Sequence, residues 1–231
     1  MRPVITGFAD VGGFLLTIYP EPQAAQAERL EVRLKGFRLT EKRDPLAPLD
    51  ARLSSVPYLG HLLSPAILPL ALILLFGALQ TWRVEAPQLA LFFLASSALL
   101  GVVYRVTGQA RWHTLEHQSV QLLQELLEAG KPLQGEALEA ALRAKDPFHP
   151  YCGSLIPARL FGPMAFFALF LPIGPSALLS LLLYPLLAEG KGNLFERLYQ
   201  GLFLARPRER EVKATVRALE AYLAQKLNDT V

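Results

Sequence analysis

The stretch Trp112-His-Thr-Leu-Glu-His117 places two histidines and one glutamate close together in the chain. His113 and His117 stand four residues apart, and residues with this spacing share one face of an α-helix. Apolar residues recur at helical spacing after the motif, and a glycine and a proline follow the last of them. The sequence therefore predicts a helix over residues 109–129, with both imidazoles and Glu116 near the same face.

A second cluster, His149-Pro-Tyr-Cys152-Gly, follows about thirty residues later. Catalytic zinc usually takes three protein ligands and leaves one position for water. His113 and His117 supply two nitrogens, and either His149 or Cys152 supplies a third ligand. We therefore expect a divalent metal site formed by His113, His117, His149 and Cys152, with Zn²⁺ as the expected ion.

Glu116 is the expected catalytic residue of this site. A bound Zn²⁺ lowers the pKa of its water to about 7, and a nearby carboxylate can act on that water as a general base. Glu116 could alternatively be a metal ligand, and Glu128 and Glu189 are further carboxylates that could complete the site. The order His-x-x-Glu-His is that of the inverzincins, but so short a pattern supports a metal site better than it supports one reaction.

Other interpretations of the same residues stay open. Four protein ligands around the ion would make a closed structural site rather than a catalytic one. Cys152 could be a nucleophile with His149 as its base, although no third group that would orient the pair is evident. A single histidine or cysteine is more often a packed or solvated residue than a ligand. Three of the chain's four histidines fall in the two short motifs, which favours the metal.

Two strongly apolar blocks, at about residues 64–104 and 155–188, raise the hydrophobic content of the 231-residue chain to 52%. Each block contains two apolar segments joined by a short turn, which predicts two transmembrane hairpins. We therefore expect a mainly α, integral membrane protein with four transmembrane helices, a small β-rich N-terminal region and cytoplasmic helices. Buried hairpins in a helical protein outside the membrane are the alternative.

Three polar regions flank these blocks, at residues 1–63, 105–154 and 189–231. Alternation of apolar and charged residues over 30–35 predicts a strand in the first region. Helical spacing over 211–227 predicts an amphipathic helix that lies on the membrane or on the rest of the protein. Lysine and arginine concentrate in these regions, so the positive-inside rule places them in the cytoplasm. The expected location is the cytoplasmic (inner) membrane, with both termini inside and membrane lipid as a partner.

Several classes of function are disfavoured by what the sequence lacks. The net charge of +3 is small and no dense basic run occurs, so nucleic acid is not an expected partner. A single cysteine excludes an internal disulfide. The sequence has no phosphate-binding loop, dinucleotide fingerprint or Gly-x-Ser-x-Gly elbow. No motif specifies a protein partner or a homo-oligomer.

The two motifs resemble those of the YqhQ-like bacterial membrane proteins, a family of unknown function sometimes described as metal-dependent enzymes. The family pattern has Tyr-His-Gly-Ala-Glu-His-Lys after the second apolar segment and His-Pro-Arg-Cys-Gly-Thr before the third. This chain has Trp112-His-Thr-Leu-Glu-His-Gln118 and His149-Pro-Tyr-Cys-Gly-Ser154 there, and order and spacing agree over about residues 57–220. The resemblance implies a metal-dependent enzyme. Because Gln118 and Tyr151 replace basic residues of the family motifs, the resemblance does not extend to any contact that those basic residues make with an anionic substrate.

The motifs and the apolar blocks together predict a membrane-embedded, metal-dependent enzyme. The expected reaction is hydrolysis of a peptide or lipid-like substrate at the cytoplasmic membrane surface. The alternative is a non-enzymatic membrane scaffold, in which the His/Cys set binds a structural metal and the tail at 189–231 recruits a partner. Three protein ligands with a reachable water favour the enzyme, and four protein ligands favour the scaffold.

Overall fold

The computed structural model describes residues 3–54, 56, 60–63, 67–85, 87–189 and 192–228, with some helix side chains, including that of Glu189, left outside the description. Four strands come first: β1 Val4–Asp10, β2 Gly13–Tyr19, β3 Gln26–Arg33 and β4 Gly36–Arg43. The α-helices of the described residues follow: α1 Ala47–Ser54, α2 Gly60–Leu63, α3 Leu68–Gln80, α4 Pro87–Thr107, α5 Gln109–Ala129, α6 Gly135–Ala144, α7 Leu155–Phe167, α8 Ile173–Glu189, α9 Leu194–Gln200 and α10 Glu209–Asn228. A 3₁₀ turn, Gly201–Phe203, lies before α10.

The prediction of four transmembrane helices is wrong. Within the described part of the chain, no helix combines the length and the apolar character that crossing a bilayer requires. α3 and α7 have 13 residues each and α8 has 17. Their lengths are about 20, 20 and 26 Å, whereas the hydrocarbon core of a bilayer is about 30 Å thick. α4 is longer, but several of its side chains lie outside the description. The location in the cytoplasmic membrane, which was inferred from the same segments, is wrong as well.

The chain divides into two compact units, each assembled from separate segments. The first unit contains Met1–Pro48, Val103–His149 and Phe203–Val231. The second contains Leu49–Val102 and Pro150–Leu202. The three histidines of the candidate site, His113 and His117 on α5 and His149 at the end of the second segment, therefore belong to the first unit.

The first unit is built on an antiparallel sheet in which the strands pair in the order β1-β2-β3-β4. The strand predicted from the alternation at 30–35 corresponds to β3, although β3 begins earlier in the chain. One face of the sheet is apolar, and its buried residues are Ile5, Ala9, Phe14, Leu16, Ile18, Leu30 and Val32. This face packs on α5, where the ring of Phe14 lies 6.2 Å from the ring of Trp112. Burial of each large apolar side chain contributes about 1.5–3 kcal/mol.

α5 and α10 complete the core of the first unit. α5 spans the predicted residues 109–129, and it ends where Gly130 adopts a left-handed conformation with φ of 61°. The amphipathic helix predicted for the tail is confirmed as α10. Its apolar residues lie in the same core as the sheet: Val212, Val216, Ala218, Leu219, Tyr222 and Leu223. The apolar face of α10 is therefore buried within the protein.

In the second unit the apolar segments bury one another. One cluster joins residues of α7 and α8 with the residue before α3: Ile67, Leu160, Leu181, Tyr184 and Ala188. Two charged side chains are also buried there, and the guanidinium Nε of Arg159 lies 2.9 Å from Oε1 of Glu196. Hydropathy alone cannot separate this arrangement from a membrane hairpin, because both bury long apolar runs.

Candidate metal centre

Three side chains of α5 form the centre of the candidate site. His113, Glu116 and His117 are all buried, with exposed fractions of 8%, 4% and 2%. Oε2 of Glu116 lies 3.0 Å from Nδ1 of His113 and 3.7 Å from Nε2 of His117. The centroids of the two imidazole rings are 4.2 Å apart. The helical spacing of the motif thus predicts the shared face correctly, since side chains three and four residues apart meet on one face.

The orientation of the His117 ring follows from a hydrogen bond. Nδ1 of His117 lies 2.7 Å from the carbonyl oxygen of Pro147. A carbonyl only accepts, so Nδ1 carries the proton and donates. In the neutral ring Nε2 is then an acceptor with a free lone pair. Such a bond from the second ring nitrogen to a carbonyl is the usual support of a metal-binding histidine.

Two glutamines of α5 hold the segment that leads to the second motif. Nε2 of Gln118 donates to the carbonyl of Lys145 at 2.9 Å. Nε2 of Gln121 donates to the carbonyls of Asp146 at 2.8 Å and Phe148 at 3.2 Å. Because His149 is the next residue, these bonds bring the second motif to the first.

His149 takes its place beside the α5 histidines. Its ring centroid lies 5.5 Å from that of His117. The pKa of His149 is lowered to about 4, mainly by burial; the neighbouring His117 and His113 also lower it, whereas Glu116 raises it. His149 is therefore neutral at pH 7, and a neutral imidazole is the form that binds a metal.

Cys152 contributes the sulfur of the predicted ligand set. One ligand atom each from His113, His117 and Cys152 lie within 4.8 Å of one another. Zinc–nitrogen and zinc–sulfur bonds are about 2.0–2.3 Å long, so three atoms at this spacing can share one ion after small side-chain rotations. The sulfur also lies 3.1 Å from the hydroxyl of Ser154. Three of the four predicted ligands are therefore close enough to bind a metal, whereas His149 is not in this group.

The surroundings of the site are shaped by a glycine and by aromatic rings. Gly7 lies in β1, and a Cβ atom added there would lie 2.6 Å from Cγ of Glu116 and closer still to its carboxylate. Only glycine leaves room for that side chain. The ring of Tyr104 meets His113 edge-on at 6.0 Å and Phe203 edge-on at 5.3 Å. The centre therefore lies against both the sheet and an aromatic pair.

Comparison with known proteins finds no similar protein for this chain. The chain matches no family model, no curated protein and no solved structure. The resemblance to the YqhQ-like family therefore stays a prediction that rests on the two motifs. The function of the site is therefore inferred from its own geometry.

The remaining predicted carboxylates do not join the centre in the described structure. Glu128 is exposed near the end of α5, twelve residues after Glu116 and so about 18 Å along the helix. The side chain of Glu189 lies outside the description. Sequence reasoning missed Gly7 and Gln121. A glycine inside a strand pattern indicates that another group approaches the backbone closely, and this signal could have identified Gly7. Nothing in the sequence distinguishes Gln121 from other glutamines on helix surfaces.

Proposed function

We propose that the chain is a metal-dependent hydrolase. Zn²⁺ would be held by His113, His117 and a third ligand from His149 or Cys152, with Glu116 as the general base. The proposal keeps the metal chemistry that the motifs predict and does not include the predicted membrane location.

The observation that carries the proposal is the contact between His117 and Glu116. Nδ1 of His117 donates to Pro147, so Nε2 is an acceptor in the neutral ring. The oxygen that it faces at 3.7 Å belongs to a buried carboxylate. Two acceptors side by side in a buried site repel each other unless a proton or a cation lies between them. A divalent cation coordinated by neighbouring imidazoles satisfies both groups.

The chemical class follows from the donor set. A mixture of imidazole, thiolate and carboxylate suits zinc better than magnesium or calcium, which prefer oxygen ligands. Bound zinc would make water acidic enough to supply hydroxide near pH 7. Glu116 would accept the proton from that water and would hold His113 in place through its bond to Nδ1. Substrates with a hydrolysable carbonyl, such as peptides and lipid esters, suit this chemistry.

A structural metal site without catalysis is the second candidate. It is supported by the fact that His113, His117 and Cys152 lie together and that the ring of His149, a possible fourth donor, lies beside His117. If all four bind the ion, no position is left for water. The partner-binding tail that accompanied this alternative gains no support, because the apolar face of α10 is buried in the core of the first unit.

Metal content tests the centre itself. Purified wild type is expected to hold about one zinc ion per chain, as a site of this ligand set does. His117→Ala should lose it. Gln124→Ala on the same helix is the matched control and should keep it, because Gln124 is exposed and donates only to Glu128. Equal, negligible metal in all three proteins would contradict both candidate functions.

Substitution of Glu116 separates the enzyme from the structural site. Glu116→Gln should retain the metal and lower kcat/KM on a panel of ester and peptide substrates by about 10²–10⁴. Glu128→Gln, with its exposed carboxylate on the same helix, should have wild-type activity. Zinc bound by four protein ligands, measured by X-ray absorption, together with no turnover of the panel by wild type, would favour the structural site.

A further inference from the structure

We infer that Gln118 and Gln121 are positioning residues that set the metal affinity of the centre by holding Lys145–Phe148 on α5. The two amides and this segment are called the carbonyl clamp. The inference rests on the proposed metal centre and adds to it the residues that build its second half.

The geometry of the clamp is regular. The carbonyls of four successive residues, 145 to 148, each accept a bond from a side chain of α5: Gln118 to the first, Gln121 to the second and fourth, and His117 to the third. The donors lie at positions i, i+1 and i+4 of the helix, which is one stripe along its surface. Lys145 also pairs with Glu125 one turn further on.

The segment needs these donors because it has no regular structure of its own. α6 ends at Ala144, and the residues before α7 form turns and irregular backbone. Carbonyls that turn inward here must find partners outside a helix or sheet. Within the segment the backbone N–H of Phe148 donates to the carboxylate of Asp146 at 2.9 Å, and the Phe148 ring is buried. A preformed turn is therefore docked on α5 by its carbonyls.

The clamp acts on the metal through His149. This residue follows Phe148 directly, so its backbone cannot move independently of the clamped carbonyl. Metal–ligand bonds tolerate errors of about 0.2 Å. A shift of the segment by even one bond length would move the imidazole of His149 relative to His117, beside which it lies, while His113 and His117 on α5 would stay in place.

Replacement of the glutamines by methionine tests this role. Methionine is similar to glutamine in length and helix propensity and is neutral, but it has no N–H donor. Gln121→Met removes two of the bonds, and Gln118→Met removes one. Gln124→Met is the matched control, since that amide lies on the same helix and contacts only Glu128. Binding is measured by titration with Co²⁺, whose absorption spectrum reports the number and type of its ligands.

The expected result is a weaker and differently coordinated Co²⁺ site in the clamp variants. Loss of supporting contacts to a metal ligand typically costs about 10–100-fold in affinity. We expect a loss in this range for Gln121→Met, a smaller loss for Gln118→Met and wild-type binding for Gln124→Met. The spectra of the two clamp variants should shift together, because both substitutions loosen the segment that carries His149. Hydrogen exchange at the backbone amides of Asp146, Phe148 and His149 should be faster in both, even without metal.

The possible results distinguish a failure of the positioning role from a failure of the metal centre. If wild type and Gln124→Met bind Co²⁺ and both clamp variants bind it with equal affinity and the same spectrum, the positioning role is wrong and the centre stands. Faster exchange in the segment with unchanged Co²⁺ binding leads to the same conclusion. If wild type binds no Co²⁺, the proposed metal centre is wrong, and the positioning role falls with it.

Discussion

The imidazole of His117 is tied through Nδ1 to the carbonyl oxygen of Pro147, 2.7 Å away and thirty positions later in the chain. This bond joins the two motifs of the candidate site. It fixes which nitrogen of His117 faces Glu116, and it docks the segment that carries His149. The orientation of one candidate ligand, His117, and the position of another, His149, therefore depend on the same contact.

The identity of the third ligand can be read from cobalt spectra. If Cys152 binds the ion, the Co²⁺ protein should show an intense thiolate-to-cobalt charge-transfer band that Cys152→Ser abolishes. If His149 alone completes the site, the band should be absent from wild type, and His149→Ala should weaken Co²⁺ binding by at least about tenfold. Retention of full affinity in both single variants would show that neither residue is a required ligand.

Gly7 is expected to be essential for the position of Glu116. In Gly7→Ala the new methyl group would collide with the Glu116 side chain, so the carboxylate must leave its place between the imidazoles. We expect a loss of stability of about 1–3 kcal/mol, typical of overpacking, together with weaker metal binding. Thermal unfolding and Co²⁺ titration measure the two effects.

Gly36→Ala is the control for this substitution. Gly36 is also a strand glycine, and an added Cβ there meets nothing within 4 Å. It should leave metal binding unchanged. Wild-type metal affinity in Gly7→Ala would show that Glu116 does not need its observed position to support the centre.

The buried ion pair of the second unit should be important for its stability. The side chains of Arg159 and Glu196 are only 4% and 3% exposed. Glu196→Gln would leave the guanidinium charged and uncompensated, which typically costs about 3–5 kcal/mol. Glu139→Gln breaks the partly exposed pair with Arg143 and should cost no more than about 1 kcal/mol. Urea unfolding followed by circular dichroism compares them, and equal losses would contradict the distinction.

The first unit should lose stability in acid partly through Asp44. Hydrogen bonds from Lys42 and Tyr19, each of 2.9 Å, lower the pKa of Asp44 below its ordinary value of 3.8. A carboxyl whose pKa is lower in the folded state stabilises the fold above its unfolded pKa, and this stabilisation is lost as the pH falls through the folded pKa. Asp44→Asn should therefore be less stable than wild type at pH 7, and the difference should shrink below pH 3.8. A difference that does not change between pH 7 and pH 2 would contradict this linkage.

Local patterns predicted the elements of the first unit well. Alternation identified β3, and helical spacing with a terminal glycine identified α5 from Gln109 to Ala129. Both signals depend on neighbours within a few residues, which is the range over which backbone geometry decides which side chains share a face. The shared face of His113, Glu116 and His117 followed from the same rule.

The sequence-based prediction failed for the packing partners of the apolar segments. Hydropathy identified the apolar runs that form α3, α7 and α8. A segment buried in a lipid bilayer and a segment buried in a protein core have the same hydropathy pattern. Helix length decided the matter for these three, and length depends on where turns interrupt the run. The pairing of Arg159 with Glu196 was equally unreadable, since 37 residues separate them.

The sequence by itself determined that two imidazoles and a carboxylate share one helical face, because covalent geometry sets the direction of side chains at i, i+3 and i+4. It also supplied His149 and Cys152 as donors of the right chemical type. Only the tertiary structure decided that these donors meet His117. Their proximity depends on hydrogen bonds from Gln118, Gln121 and His117 to backbone carbonyls. Because every residue has a backbone carbonyl, the sequence does not indicate which carbonyls accept these bonds.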